Sequence, residues 1–352
     1  MQFSVPTHIY FGQNAKSALQ NLHHPFIVAD AFFKDSPALN EILQIFSDYT
    51  LFTDFTPDPT LQAVARGVAA FKNANTQSML AVGGGSAIDT AKAILYFANL
   101  SVPFAVIPTT SGTGSEVTSF SVVTNTETKT KYPLIADSML PTYAVLDTNF
   151  VKSLPPKVAA DTGADALCHA LEAYVAKNKN PFSDALAEKA ILMILTNLAD
   201  AVKGDSCAKE QVHFASTMAG IAFNSAGLGL CHGMAHALGA RFKIPHGRAN
   251  ALLLPHVIAF NAKQSETEVR YAALSRLSGN EGGQVMLVRK LVTDIRKLFA
   301  KIGIPDRLNI PLTEFTEKQT ETAKAVLADA CTRSNPIAPT AENIINLYKE
   351  VL

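Results

Sequence analysis

Cysteine is scarce in this chain. Its four cysteines, Cys168, Cys207, Cys231 and Cys331, show no CxxC spacing and are too few for a disulfide framework. They read as free thiols of a reducing compartment. Excess charge of either sign is also lacking: Lys plus Arg and Asp plus Glu both number 30, a formal net charge of +0, with no basic block. That balance argues against a nucleic-acid partner or an anionic membrane surface. No unbroken apolar run reaches the length of a membrane span. The opening MQFSVPTHIYFGQ has no basic segment followed by an apolar one, so secretion is not expected and the cytoplasm is. Internal repeats and low-complexity segments are missing too.

What remains is a 352-residue chain with 48% hydrophobic residues, enough to bury two cores. In its first half, short apolar runs (26–30, 49–55, 78–85 and 104–110) end in polar residues or glycine, and helical patterns cover 60–73 and 86–98. This alternation is the βαβ signature of a parallel, Rossmann-like sheet. Residues 119–137 read as a polar-tipped hairpin. Beyond Leu154-Pro155-Pro156 strand signals stop, and amphipathic helical patterns cover 161–176, 183–203, 209–224, 285–302 and 340–351. The expectation is an α/β dinucleotide-binding domain over 1–155 and an all-helical metal- and substrate-binding domain over 156–352.

Two loops suit a nucleotide. In AVGGGSAIDTAK, Gly83, Gly84 and Gly85 permit a tight turn and a close backbone approach, and Ser86 is a good helix N-cap. PTTSGTGSEVTS (108–119) follows the next strand, and neighbouring loops at the carboxyl ends of parallel strands are where open α/β sheets bind ligands. Asp30 ends the first of these strands. Its carboxylate suits either a ribose diol or a helix cap, and the local sequence does not choose.

Five of the nine histidines fall between His213 and His256. His232 and His236 are four apart, and His246 follows a short KIP turn. Upstream, GADALCHALEAY sets Asp165 and His169 four apart on one helical face. Asp161 competes with Asp165 but has no histidine four residues ahead. An Asp/His set suits Fe(II) or Zn(II), with no thiolate to force zinc. Spacing leaves open which of His232, His236 and His246 bind. Cys168 and Cys231 each precede a candidate ligand but point about 100° away on a helix.

GGGSAIDTAK, PTTSGTGSEVTS, GADALCHALEAY and GLGLCHGMAHALGARFKIPHGRANALLLPHV occur together and in order. In this combination the chain resembles the iron-dependent (group III) alcohol dehydrogenases over essentially its whole length. TPDPT, TKYPL, FSDALAEKA and RSNPIAPTAENI extend the likeness to the propanol dehydrogenases of propanediol utilisation. The resemblance implies a metal, Fe(II) or else Zn(II), held by Asp165, His169, His232 and His246, with His236 near the substrate. It implies NAD(H) on Gly84, Gly85, Ser86, Asp89, Thr109, Thr110, Thr113 and Lys131, with Asp30 at the adenosine ribose. Phe120 and Phe223 are expected to line the substrate pocket. The implied reaction passes a hydride between NAD(H) and a short-chain primary alcohol or aldehyde. A polyol dehydrogenase, a dehydroquinate-synthase-like lyase and a non-catalytic nucleotide-binding or shell-associated protein are the rival readings. A homodimer is expected from the likeness of FSVPTHIYFG to the family's edge strand. No amphipathic helix precedes it, so entry into a microcompartment by such a tag is not expected.

Overall fold

Alternation along the strands decides how the first part of the molecule is layered. The computed structural model describes residues 3–127 and 130–352, and the chain divides into two units, Met1–Leu154 and Pro155–Leu352. The first unit contains β1 (His8–Phe11), β2 (Pro25–Ala29), β3 (Thr50–Phe52), β4 (Ser78–Gly83), β5 (Phe104–Pro108), β6 (Phe120–Asn125), β7 (Thr130–Ile135) and β8 (Tyr143–Leu146). Six of them form one all-parallel sheet in the order β1-β8-β5-β4-β2-β3. Its helices are α1 (Pro37–Leu43), α2 (Leu61–Asn73), α3 (Gly85–Ala98) and α4 (Asn149–Lys152).

Successive strand residues point to opposite faces. Phe26, Val28, Met79 and Val106 share a core with Val64 of α2 and Ile88 of α3. Ile27, Ala29, Leu80 and Ile107 enter the other core with Leu39 and Ile42 of α1. Cover on both faces is why these strands read as unbroken apolar runs rather than alternating ones. The strand order reverses between β2 and β4, so Asp30 and Gly84 leave the sheet side by side at the switch point where such sheets take ligands.

The hairpin is β6 paired antiparallel with β7, from Phe120↔Ile135 to Asn125↔Thr130. Part of its expected polar tip, residues 128–129, lies outside the described residues.

The second unit is helical: α5 (Pro156–Val175), α6 (Pro181–Lys203), α7 (Ser206–Ala226), α8 (Leu230–Phe242), α9 (His246–Asn261), α10 (Ser265–Leu277), α11 (Gln284–Lys301), α12 (Leu312–Ala328) and α13 (Ala341–Lys349). Among the described residues no single helix is long and apolar enough to cross a membrane.

One buried cation fixes the loop after β5. Lys92 of α3 is fully buried, and its Nζ donates to Ser115 Oγ (2.9 Å), Thr118 O (2.7 Å) and Phe120 O (2.9 Å). Burial lowers its pKa to about 8, while the charges of Asp89 and Glu116 act to raise it. Removing the cation from buried carboxylates is costly, so Lys92→Met should destabilise the protein by about 3 kcal/mol or more. The sign of the pH dependence follows from the depressed value. Between pH 8 and 10.5 the unfolded chain binds the Lys92 proton more often than the folded one, so the contribution of Lys92 to stability rises with pH. The stability difference between wild type and Lys92→Met, from denaturant melts, should therefore grow by about 3 kcal/mol over that window. A flat difference would show that the ammonium is not held in this way.

Candidate metal centre and cofactor loops

Residues spaced i, i+4 and i+7 share one face of a helix, and on α5 these are Asp165, His169 and Glu172, all buried. This face meets α8 and α9. At Gly247, a Cβ would lie 2.2 Å from Asp161 O. Only glycine allows α9 to pass this close to α5, and the approach carries His246, the first residue of α9, to 3.5 Å (Nε2) from Asp165 Oδ1. His232 Nε2, on α8, is 3.8 Å from the same oxygen. One ligand atom from each of Asp165, His169, His232 and His246 lies within 4.8 Å of the others.

The donor set fits a divalent ion. His169 stacks between Phe223 (4.6 Å between centroids) and His232 (4.4 Å). Burial, and then the neighbouring His169, His246 and His236, push the pKa of His232 well below the usual imidazole value, so it is neutral and carries a free lone pair. Its Nδ1 lies 2.5 Å from Glu172 Oε2. With that proton donated to the carboxylate, the lone pair is on Nε2, towards the other ligands. Three nitrogens and one oxygen suit Fe(II) or Zn(II). The nearby thiols lie outside this four-atom set, and burial raises Cys231 to about 11 and Cys168 well above its ordinary value.

Of the alternatives left open by spacing, His236 and Asp161 fall outside the four-atom cluster. His236 stacks on His246 at 5.2 Å and 17°, and its Nδ1 is 2.9 Å from Asp329 Oδ2. Asp161 accepts from Arg248 Nε at 2.6 Å.

Glu172 and Asp329 were not singled out in the sequence. The signal for Glu172 was available, because it continues the stripe of Asp165 and His169. Its carboxylate also receives the backbone N–H of Cys231 at 2.6 Å and of His232 at 3.4 Å, so it caps α8 as well as orienting His232. Asp329 lies 93 residues from His236, and no local pattern joins them.

In the first unit the two predicted loops lie against each other. Asp30 Oδ2 accepts the Gly84 N–H at 3.0 Å, and a Cβ on Gly83 would fall 2.5 Å from that oxygen. Asp30 makes no side-chain cap bond to the short helix after it, which removes the capping alternative. Gly84, not Ser86, is the N-cap of α3, a correction to the sequence reading. Ser86 Oγ instead accepts the Asp58 N–H at 3.4 Å.

The backbone N–H of Thr109 donates to Gly83 O at 3.0 Å. Thr110 and Thr113 stand within 3.3 Å and 2.8 Å of where a Cβ on Gly84 and on Gly85 would be. Lys131 pairs with Asp58 at 2.6 Å. Asp89 faces the protein, its two oxygens accepting from Ser115 Oγ and Val122 N, both at 3.0 Å. Of the two expected pocket residues, Phe223 packs on His169 as described. Phe120 opens β6 and is half-buried.

Glu172→Gln keeps the shape of the side chain and removes the charge-assisted bond to His232. Loss of such an outer partner weakens metal binding by about ten- to a hundred-fold. Equilibrium dialysis followed by metal analysis reads this directly, and unchanged affinity would mean that Glu172 only caps the helix.

The chain is similar to known proteins in sequence and in fold. Residues 6–148 match the family model described as iron-containing alcohol dehydrogenase, and residues 159–352 match that of the Fe-containing alcohol dehydrogenase family, C-terminal. The chain is 40% identical to 1-propanol dehydrogenase PduQ of Salmonella typhimurium, covering 99% of each. It is 39% identical to the NADPH-dependent butanol dehydrogenase of Clostridium saccharobutylicum, covering 96% of this chain and 94% of that one. Among solved structures, a 1,3-propanediol oxidoreductase superposes with a TM-score of 0.92 at 30% identity, over 100% of this chain and 99% of the other. A sulfoacetaldehyde reductase from Bifidobacterium kashiwanohense, in complex with NAD+, gives 0.89 at 27% identity, over 99% and 98%. Over nearly its full length, the chain belongs to the iron-containing alcohol dehydrogenase family and is an oxidoreductase.

Proposed function

We propose that the protein passes a hydride between NAD(H) and a short-chain primary alcohol or aldehyde, with propanol/propanal or ethanol/acetaldehyde as substrates. The observation that carries this reading is the cluster of buried Asp165, His169 and His232 with partly exposed His246, all nitrogen and oxygen donors within 4.8 Å. The named activities of the propanol and butanol dehydrogenases to which the chain is similar support the substrate class. Held by Asp165, His169, His232 and His246, a divalent ion, Fe(II) or Zn(II), would supply a Lewis acid for the alcohol oxygen, and nicotinamide would supply the hydride acceptor.

The chain's own groups do the rest. His232 holds its lone pair towards the ion because Glu172 takes its other proton. His236 donates from Nδ1 to Asp329, which leaves Nε2 to accept the hydroxyl proton and release it to solvent. Phe223 keeps His169 in plane by stacking. Gly84, Gly85, Ser86, Thr109, Thr110, Thr113 and Lys131 are proposed to hold the dinucleotide, with Asp89 bracing their loops from within. Two copies of the chain are proposed to associate along β1, the last strand on its side of the sheet, where Phe11 is exposed.

NADH oxidation by propanal, measured on the purified protein together with its metal content, tests the activity. His246→Ala removes one of the four donors, so metal occupancy and turnover should fall together by orders of magnitude. Full occupancy and turnover in that variant would remove His246 from the ligand set.

The cofactor preference rests on Asp30, fixed by the Gly84 N–H at the switch point. A carboxylate there accepts bonds from the free ribose diol of NAD and repels the 2′-phosphate of NADP. NADH should be preferred over NADPH by at least about tenfold, equivalent to about 1.4 kcal/mol. Asp30→Gly should erode the preference through the KM for NADPH while leaving metal content unchanged. Equal use of both cofactors by the unmodified protein would sink the ribose assignment.

A further inference from the structure

Asp58 holds a backbone conformation that its own sequence disfavours. Its φ is +59°, in the left-handed region, and Pro59 follows it. Aspartate enters that region more readily than most residues, but a following proline presses the chain towards extended conformations. Such a residue stays in place only where surrounding contacts hold it, and such contacts gather at functional sites. Here they lead to the cofactor loops. The Asp58 N–H donates to Ser86 Oγ at 3.4 Å, and Asp58 Oδ1 lies 2.6 Å from Lys131 Nζ on β7. Pro59 O accepts the N–H of Thr124 at 2.8 Å, and Thr124 is the cross-strand partner of Lys131. The turn is therefore fastened to the hairpin beside the lysine with which it pairs.

The signs of the charges decide what this pairing does. The start of α3 offers N–H groups to an anion, and the anionic part of NAD(H) is its diphosphate. Of the seven residues proposed above to hold the dinucleotide, Lys131 alone is charged. Its ammonium is already occupied by the Asp58 carboxylate, and that carboxylate, bonded through its own N–H to Ser86, repels a diphosphate at the same loop. The side chains of Asp58 and Lys131 are 68% and 25% exposed, so the pair is weak enough to be exchanged.

We propose that Asp58 is a counter-charge that competes with the diphosphate of the dinucleotide for Lys131 and so holds cofactor affinity down. The inference rests on the cofactor loops proposed above. The diphosphate is common to NAD(H) and NADP(H), so Asp58 acts on both alike, whereas Asp30 separates them.

Asp58→Asn keeps the shape of the side chain, tolerates the left-handed backbone and removes the charge. ADP-ribose carries the diphosphate without nicotinamide, so titration calorimetry with it reads the effect without turnover. At low ionic strength the variant should bind ADP-ribose about two- to fivefold more tightly than the unmodified protein, the scale of a largely exposed ion pair. The gain should shrink as salt is added, and it should be equal for 2′-phospho-ADP-ribose. Unchanged or weaker binding overturns the proposal, as does a gain confined to one of the two ligands. Lys131→Met should weaken binding, and Asp58→Asn added to it should give little further gain. An equal gain in both backgrounds would show plain repulsion without competition for Lys131 and overturns the proposal. Unchanged binding in Lys131→Met would remove that lysine from the cofactor site, and the proposal with it. No binding of ADP-ribose by the unmodified protein would overturn the reading of the loops themselves.

Discussion

A carboxylate buried at the start of a helix holds the candidate metal centre together. Glu172 receives two N–H groups from the first turn of α8, those of Cys231 and His232, and the Nδ1 proton of the His232 ring. The positive end of the helix and the imidazole stabilise the anion, burial opposes it and raises its pKa to about 8, and a divalent ion one imidazole away would draw that value back down and keep the carboxylate ionised. The same group therefore sets where α8 begins and which nitrogen of His232 faces the other ligands. A break in this contact would free both the helix end and the tautomer.

Close backbone approach is the second constraint. Gly247 lets α9 pass Asp161, and at Gly229 a Cβ would lie 2.7 Å from Glu172 Oε1 and 2.9 Å from Asn335 Oδ1. Asn335 Oδ1 accepts the N–H of Leu230 at 3.1 Å and is paired with the buried Asn261. Small residues at these two points thus let polar groups from α5, α9 and the segment before α13 converge on α8. In such a crowded, water-poor setting every buried donor has to find an acceptor, as the side-chain amide of Asn250 does at Asp165 Oδ1, 2.7 Å away.

The first unit solves a different problem with similar means. Its sheet buries both faces, so its polar chemistry is confined to the carboxyl ends of the strands. Asp30 meets Gly84 there, and Lys92 fastens the following loop from below through Ser115, Thr118 and Phe120. Glycine at position 83 and carboxylate at position 30 are complementary, since any side chain at 83 would displace the carboxylate.

By itself the sequence determined the layering and one pair of the candidate ligands. The apolar runs of β2, β4 and β5, the helical periodicity after Pro155, and the paired spacing of Asp165 with His169 are all local, and local patterns survive folding because they arise from backbone geometry. The four-residue strand β8 (YAVL) is too short a run to carry a period. The helix begins at Gly85, capped by Gly84, and Ser86 finds a tertiary partner in Asp58. Spacing alone could not choose among His232, His236 and His246, nor could it connect His236 to Asp329 or Asn250 to Asp165. Only the tertiary structure decided these, because each depends on how far one helix slides along another, and that is set by contacts between residues dozens of positions apart.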